Sequence, residues 1–258
     1  MCPMAQCKSS FEIMLSYGFR IASFLLLVSL SGLQSEAQDA PPYKEWGQEF
    51  NTAGAELKVK EVNREKVERV TVVTYQFLAA GLPKDKTYRF WVWELGRDPQ
   101  FGLDATIDSD GTLLTKARPE QHVSADPITL KFFGVPAEPK RFALLSLDGQ
   151  LKAFGKTIPF PIESTDGACR LSIEMAAPLY TLVNLRVDGL KPNESFQVTL
   201  QSRQEHGRLK PKADELGRWS SVIGPYVKGQ EKGFTQVEIS ATNCKPKVEF
   251  PWGVHYYQ

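Results

Sequence analysis

The chain has 258 residues, 42% hydrophobic and 24% charged, a globular composition that excludes wholesale disorder. Lys and Arg number 31 against 30 Asp and Glu, so no bulk charge draws it toward nucleic acid or an anionic membrane. Aromatic residues make up 11%, enough to fill real cores.

Export is written at the N-terminus. Ile21 to Leu33 reads IASFLLLVSLSGL, an uncharged run preceded by Arg20. A membrane-spanning helix needs about 20 apolar residues, so this run fits the hydrophobic region of a signal peptide better than an uncleaved anchor. Ser35 and Ala37 then supply small residues at positions −3 and −1, which predicts cleavage after Ala37 and a mature start at Gln38. Met14 begins a tidier leader than Met1 does. No Cys follows the apolar run, so a lipid anchor is not expected. The leader carries Lys8, Arg20, Glu12 and Glu36, and its loss leaves the net charge at +1. It also carries Cys2 and Cys7, so the mature body keeps only Cys169 and Cys244. A pair in an exported chain predicts one bridge, Cys169–Cys244, and a secreted or periplasmic location.

The body of about 220 residues is enough for one large or two ordinary domains. Residues 38–54, rich in Pro, Gly and polar groups, read as a flexible lead-in. Val59 to Val70 is the one stretch near helical periodicity, but Val dominates its apolar positions and favours two strands turning at Asn63-Arg64. Strand-like runs follow at Val70–Phe77, Thr87–Trp93, Phe142–Leu147, Arg170–Met175, Tyr180–Val187, Ser195–Leu200 and Gln236–Ile239, bounded by Gly, Pro, Asp and Asn. Gly81-Leu82-Pro83-Lys84-Asp85-Lys86-Thr87-Tyr88 is echoed 108 residues later by Gly189-Leu190-Lys191-Pro192-Asn193-Glu194-Ser195-Phe196. Asp110-Gly111 and Leu216-Gly217 echo each other at an offset of 106. Such spacing predicts a strand, a Pro-containing turn and a partner strand once per unit of about 100 residues.

Two helix-free units of this size predict an all-β fold of two tandem antiparallel β-sandwiches. Over residues 68–250 the strand and turn rhythm around Gly-Leu-x-Pro resembles immunoglobulin-like or fibronectin-type-III-like modules of exported bacterial proteins. That resemblance implies a fold class and little about activity. The expected organisation is a signal peptide at 1–37, a lead-in at 38–54, a first sandwich at 55–165 and a second at 166–258. The immunoglobulin Cys–Trp–Cys pattern is missing, because Cys169 opens a strand and Cys244 closes one.

No G-x-S-x-G, H-E-x-x-H, Walker A or G-x-G-x-x-G occurs in the chain, so no catalytic residue, metal ligand or cofactor site is predicted. His122, His206 and His255 are isolated and polar in context. Asp108-Ser109-Asp110-Gly111 mimics a calcium loop, but that register puts Thr106 and Ala117 at its first and last ligand positions. A tight turn is the better reading, as it is for Asp148-Gly149 and Asp166-Gly167. In Tyr88–Trp93 the two-residue period sends Tyr88, Phe90 and Val92 one way and Trp91 and Trp93 the other. The Trp row is either covered or free to stack on a sugar or a protein. The tail from Pro251 to Gln258 is a last strand with a packed Trp252 or a recognition terminus, and Asn193-Glu194-Ser195 is a glycosylation sequon. These features favour an exported, non-enzymatic binding or structural module of the cell envelope or exterior, engaging a protein or polysaccharide. The alternatives are a secreted carbohydrate-active hydrolase with dispersed carboxylates or an envelope assembly part. Nucleic-acid partners are not expected, and the membrane is met only through the transient leader.

Overall fold

Alternation of apolar and polar residues builds this fold, in which every regular element longer than a single 3-10 turn is a strand among the described residues. The computed structural model describes residues 46–116 and 125–253. The predicted leader and cleavage site, residues 38–45 of the lead-in, His122, His255 and the aromatic tail beyond Gly253 lie outside them.

The first eight strands are β1 (Glu56–Val67), β2 (Val70–Ala80), β3 (Tyr88–Glu94), β4 (Gln100–Ile107), β5 (Leu113–Thr115), β6 (Thr129–Phe132), β7 (Lys140–Ser146) and β8 (Lys152–Thr157). They form a three-stranded sheet, β1-β2-β6, facing a five-stranded one, β5-β4-β3-β7-β8. The next eight are β9 (Ile162–Asp166), β10 (Cys169–Met175), β11 (Val183–Asp188), β12 (Gln197–Ser202), β13 (Glu205–Leu209), β14 (Trp219–Ile223), β15 (Gly233–Ser240) and β16 (Lys247–Trp252). These form sheets β14-β11-β10-β9 and β13-β12-β15-β16. All pairings are antiparallel. The divide expected between residues 165 and 166 falls inside β9, which pairs with β10 and so joins the second half.

Each half has its own core. In the first, Val73, Tyr75, Phe77 and Ala79 point inward at every second position of β2 and meet Tyr88, Phe90, Phe142 and Leu144. Phe77 sits edge-on to Phe90 and to Phe142, with ring centroids 4.8 Å apart in both pairs. In the second, Leu171, Ile173, Leu185 and Val187 face Val198, Val237, Ile239 and Phe250.

The echoed turns occupy equivalent places. Gly81 ends the approach from β2 at φ 69°, and a Cβ there would lie 1.9 Å from the Gly54 carbonyl oxygen, just before β1. Gly189 follows β11 at φ 83°, and its Cβ would lie 1.9 Å from the Ala168 oxygen, just before β10. Both need the left-handed backbone and the missing side chain together. The second echo is closer still. Asp108 accepts the backbone N–H groups of Asp110 and Thr112 through one carboxylate oxygen, and Asp214 accepts those of Leu216 and Arg218 in the same way. These backbone bonds, led by that from Arg218, lower the Asp214 pKa. The Asp110-Gly111, Asp148-Gly149 and Asp166-Gly167 pairs are turns, between β4 and β5, β7 and β8, and β9 and β10 respectively.

Three expectations change. The β1–β2 hairpin turns at Glu68-Arg69, with Glu68 at φ 53°, while Asn63 marks a register slip within an unbroken β1. The part of the lead-in that is described is fastened: the Thr52 N–H donates to the Lys152 oxygen at 2.9 Å, the Thr52 hydroxyl accepts the Lys152 N–H at 2.8 Å, and the Asn51 side chain accepts the Phe154 N–H at 2.7 Å. Tyr180 leaves the strand run and sits in a turn, because Leu179 and Tyr180 both take positive φ, near 58° and 56°.

The Cys169 and Cys244 sulfurs lie at bonding distance, with Cα atoms 6.0 Å apart. Cys169 opens β10 in one sheet and Cys244 lies in the β15–β16 turn of the other, so the bridge spans the sandwich. The same turn is held by Glu194, which accepts the Thr242 N–H at 2.7 Å, and by Asp166, which accepts the Lys245 N–H at 2.6 Å. Non-reducing mass spectrometry is expected to recover a linked Cys169–Cys244 peptide pair. Closing a loop of 75 residues contributes about 4 kcal/mol in the chain-entropy account, so Cys244→Ala should lower the melting temperature of the second half by tens of degrees or unfold it. Gly189→Ala should cost at least about 2 kcal/mol in urea unfolding, because strain in φ and the backbone clash act together.

Candidate functional site

Two loops of the first half reach into the second, and they position the surface that follows. The β6–β7 connection buries Val135 and Ala137 in the second core. Ala137 N–H donates to the Phe160 oxygen at 2.7 Å, and Met175 N–H donates to the Ala137 oxygen at 2.8 Å. The Tyr180 hydroxyl, on the buried ring that the left-handed turn swings inward, donates to the Pro136 oxygen at 2.5 Å. From the β3–β4 turn, Leu95 packs on the second core and Gly96 lies so near Pro178 that a Cβ would stand 2.6 Å from its ring. The direct link from β8 to β9 is only residues 158–161, Ile-Pro-Phe-Pro, and prolines restrict its backbone.

Charge completes the junction. The Lys140 ammonium donates to Glu94 at 2.9 Å and Glu138 at 3.0 Å, and Lys140 and Glu138 are buried. Burial pulls the Lys140 pKa down, but the bond to Glu94 and the charge of Glu138 outweigh it, and the net shift is upward. The Arg141 guanidinium lies over the Trp93 ring, 4.9 Å from its centroid, and 3.7 Å from Glu174. Lys156 meets the same carboxylate from β8 at 2.8 Å. Burial lowers the Arg141 pKa, against the opposing pull of Glu174.

Beside this junction the outer face of β14-β11-β10-β9 forms a groove of about 910 Å³, walled at one end by Lys156, Thr157 and Ile158. Strand register sets its rungs. Thr165, Arg170 and Asp188 share one; Glu163, Ser172, Arg186 and Ser220 the next; Glu174, Asn184 and Val222 the third. Arg186 grips Asp188 through two nitrogens at 2.9 Å, which raises its pKa, and Arg170 reaches Glu163 at 3.2 Å. Three cations, Lys156, Arg170 and Arg186, thus face three carboxylates, Glu163, Glu174 and Asp188. The floor is neutral overall, and its side chains are rich in both donors and acceptors.

The aromatic row of β3 does not contribute a flat exposed platform. Tyr88 and Phe90 are core, and Trp91, on the other face, is 4% exposed. Trp91, Ala143 and Phe154 make a small third cluster, capped by Trp46 of the lead-in, whose ring meets Trp93 at 5.4 Å and Phe154 at 5.6 Å. At the far end, Trp252 is buried in the second core as part of β16. His206 lies on β13, in the opposite sheet from the groove. Among the described residues no cluster of His, Cys, Asp and Glu is arranged to hold a metal, and no helix is long and apolar enough to cross a membrane. Sequence reading missed the groove because its residues are separate polar positions of four strands, and only their register makes them a surface.

No family model and no curated protein matches the chain. Among solved structures, one described as the crystal structure of a tetra-tandem repeat in the extending region of a large adhesion protein aligns with 78% of this chain. The identity is 13% and the TM-score 0.28, and the chain spans half the length of that structure.

The Lys140 cluster carries a signed pH prediction. A folded pKa raised above the unfolded value contributes stability that is complete below about pH 10.4 and is lost as pH climbs through the folded value. Urea-unfolding stability should therefore show no Lys140 contribution to any change between pH 6 and 9, and should fall in strong alkali. Lys140→Met should cost about 3 kcal/mol at pH 7, since it removes the buried ammonium that bonds both Glu94 and Glu138. Comparing the two proteins' pH profiles checks both statements.

Proposed function

We propose that this chain is an exported, non-enzymatic binding module of the cell envelope or exterior, built from two fibronectin-type-III-like sandwiches that hold one polar groove. The strand order supports the two-module reading. In each half three strands, β1-β2-β6 or β10-β11-β14, face four that run β4-β3-β7-β8 or β13-β12-β15-β16, with β5 and β9 added at edges. The observation that carries the functional reading is the charge-paired groove braced at the junction. Its arginines and carboxylates are already held by one another, so a ligand meets fixed forks rather than mobile side chains.

A neutral floor with alternating donors and acceptors suits partners rich in hydroxyl and amide groups, such as a polysaccharide or an uncharged protein segment, over polyanions. Groove serines Ser172, Ser220 and Ser221 stand without a histidine among the lining residues, an arrangement that favours binding over acyl transfer. The carbohydrate-active alternative needs two carboxyl groups flanking a bond, and Glu163, Glu174 and Asp188 are each engaged by a cation.

Affinity gel electrophoresis against a panel of purified envelope polysaccharides and proteins tests the reading. Retention by one member is expected, weakened about tenfold or more, or about 1.4 kcal/mol, by Arg186→Ala and by Asn184→Ala. Retention unchanged in both variants, or new reducing ends released from a polysaccharide, would overturn it.

A further inference from the structure

Antiparallel sheets advertise their edges, and folded proteins usually guard them with charge, proline or a covering segment. Among the described edges of this protein, most carry such a guard. β8 is covered by Asn51 and Thr52, and the three residues of β5 are covered by Asp126–Ile128. β1 is studded with Lys and Glu, β6 carries Lys131, β9 carries Glu163 and Asp166, β13 carries Glu205 and Arg208, and β16 has Lys247, Glu249 and Pro251. β14 differs. Its sequence, Trp219-Ser220-Ser221-Val222-Ile223, has no charge and no proline, and it pairs on one side only, with β11. No other backbone hydrogen bond from these five residues is made to a described residue. Val222 is 57% exposed on the groove side.

We propose that β14 pairs antiparallel with β14 of a second copy of this chain, across a two-fold axis through Ser221. The strand's own pattern selects that occupant. Centred on Ser221, the pairing sets Trp219 opposite Ile223 of the copy, Ser220 opposite Val222, and Ser221 opposite itself. An aromatic residue then meets a β-branched one at both ends, a favourable cross-strand pair, and no like charges meet. The same operation on β13 would set Glu205 against Leu209 and His206 against Arg208, and on β9 it would set Asp166 against Ile162. Because the two strands are related by symmetry, the contact closes as a dimer and does not propagate.

The product is one eight-stranded sheet, β9-β10-β11-β14 running into the same strands of the copy in reverse order. β14 is also a wall of the groove, through Ser220, Ser221 and Val222. Pairing therefore lays the two grooves side by side on one continuous face. A repetitive ligand spanning both gains the advantage of a second, intramolecular contact. A five-residue edge makes a small interface, so the dimer is weak, with Kd near about 100 μM.

Sedimentation equilibrium of the purified chain without ligand, from about 10 μM to 1 mM, tests this independently of the groove's ligand. A reversible monomer–dimer equilibrium is expected. Ser220→Lys combined with Val222→Lys changes two exposed positions and sets lysine opposite lysine in the dimer, so association should weaken at least tenfold while the melting temperature of the dilute monomer holds. Hydrogen exchange should show added protection at Trp219–Ile223 amides in the concentrated sample. A chain that stays monomeric to 1 mM, or a dimer indifferent to the double substitution, would overturn the proposal.

Discussion

Val135, Pro136 and Ala137 belong by chain order to the first half, yet two of them are buried in the core of the second. From that intrusion the rest of the arrangement follows. It places the Pro136 carbonyl where the Tyr180 hydroxyl can reach it, and it docks Ala137 between Phe160 and Met175 by backbone bonds. It also brings Glu138 and Lys140 into a space that excludes water, where the two are paired. A flexible tether would let two sandwiches turn freely. Here three separate stretches, residues 95–96, 135–137 and 158–161, fasten one half to the other.

The groove depends on that fastening. Glu174 stands on β10, but its partners Lys156 and Arg141 come from β8 and β7, so the first half supplies the cations that pair with this carboxylate on the second half's outer face. Without Lys156 the floor would hold three carboxylates against two arginines. With it the charges match, and local pairing holds the long side chains in defined directions at modest energetic gain, as expected for partly exposed ion pairs. Recognition through such a surface relies on geometry more than on net attraction.

The strained turn at Leu179-Tyr180 serves the same junction. Two successive residues with side chains in the left-handed region are costly, about 1 kcal/mol or more each, and persist only where packing over-determines them. Tyr180 is fully buried against Phe250 and bonded to Pro136, and those contacts offset the strain. Bare and guarded edges divide along similar lines: the lead-in that covers β8 also supplies Trp46, which seals the outer aromatic cluster of the first half.

Local chemistry made much of this protein legible in advance. Gly81 and Gly189 announce their turns because left-handed backbone at a close approach admits no Cβ, and Asp-Gly pairs declare hairpins because Gly takes the positive φ that such turns need. The β-branched and aromatic runs of β2, β3, β7, β10, β12 and β15 declare strands because their period matches the pleat. Cys169 and Cys244 could be paired by elimination. Short polar strands such as β9, β13 and β14 were not legible, since Ile-Glu-Ser-Thr-Asp or Trp-Ser-Ser-Val-Ile becomes a strand only when a neighbour supplies the ladder. The burial of Trp91 was not legible either, because Phe101 meets it from β4 and Trp46 packs on the cluster it forms with Ala143 and Phe154. Likewise the groove and the bare edge exist only through register between strands far apart in the chain. Sequence by itself determined which backbone conformations were available and which residues avoid water; tertiary structure alone decided which distant polar side chains share a face, because pairing energy is collected across strands and not along them.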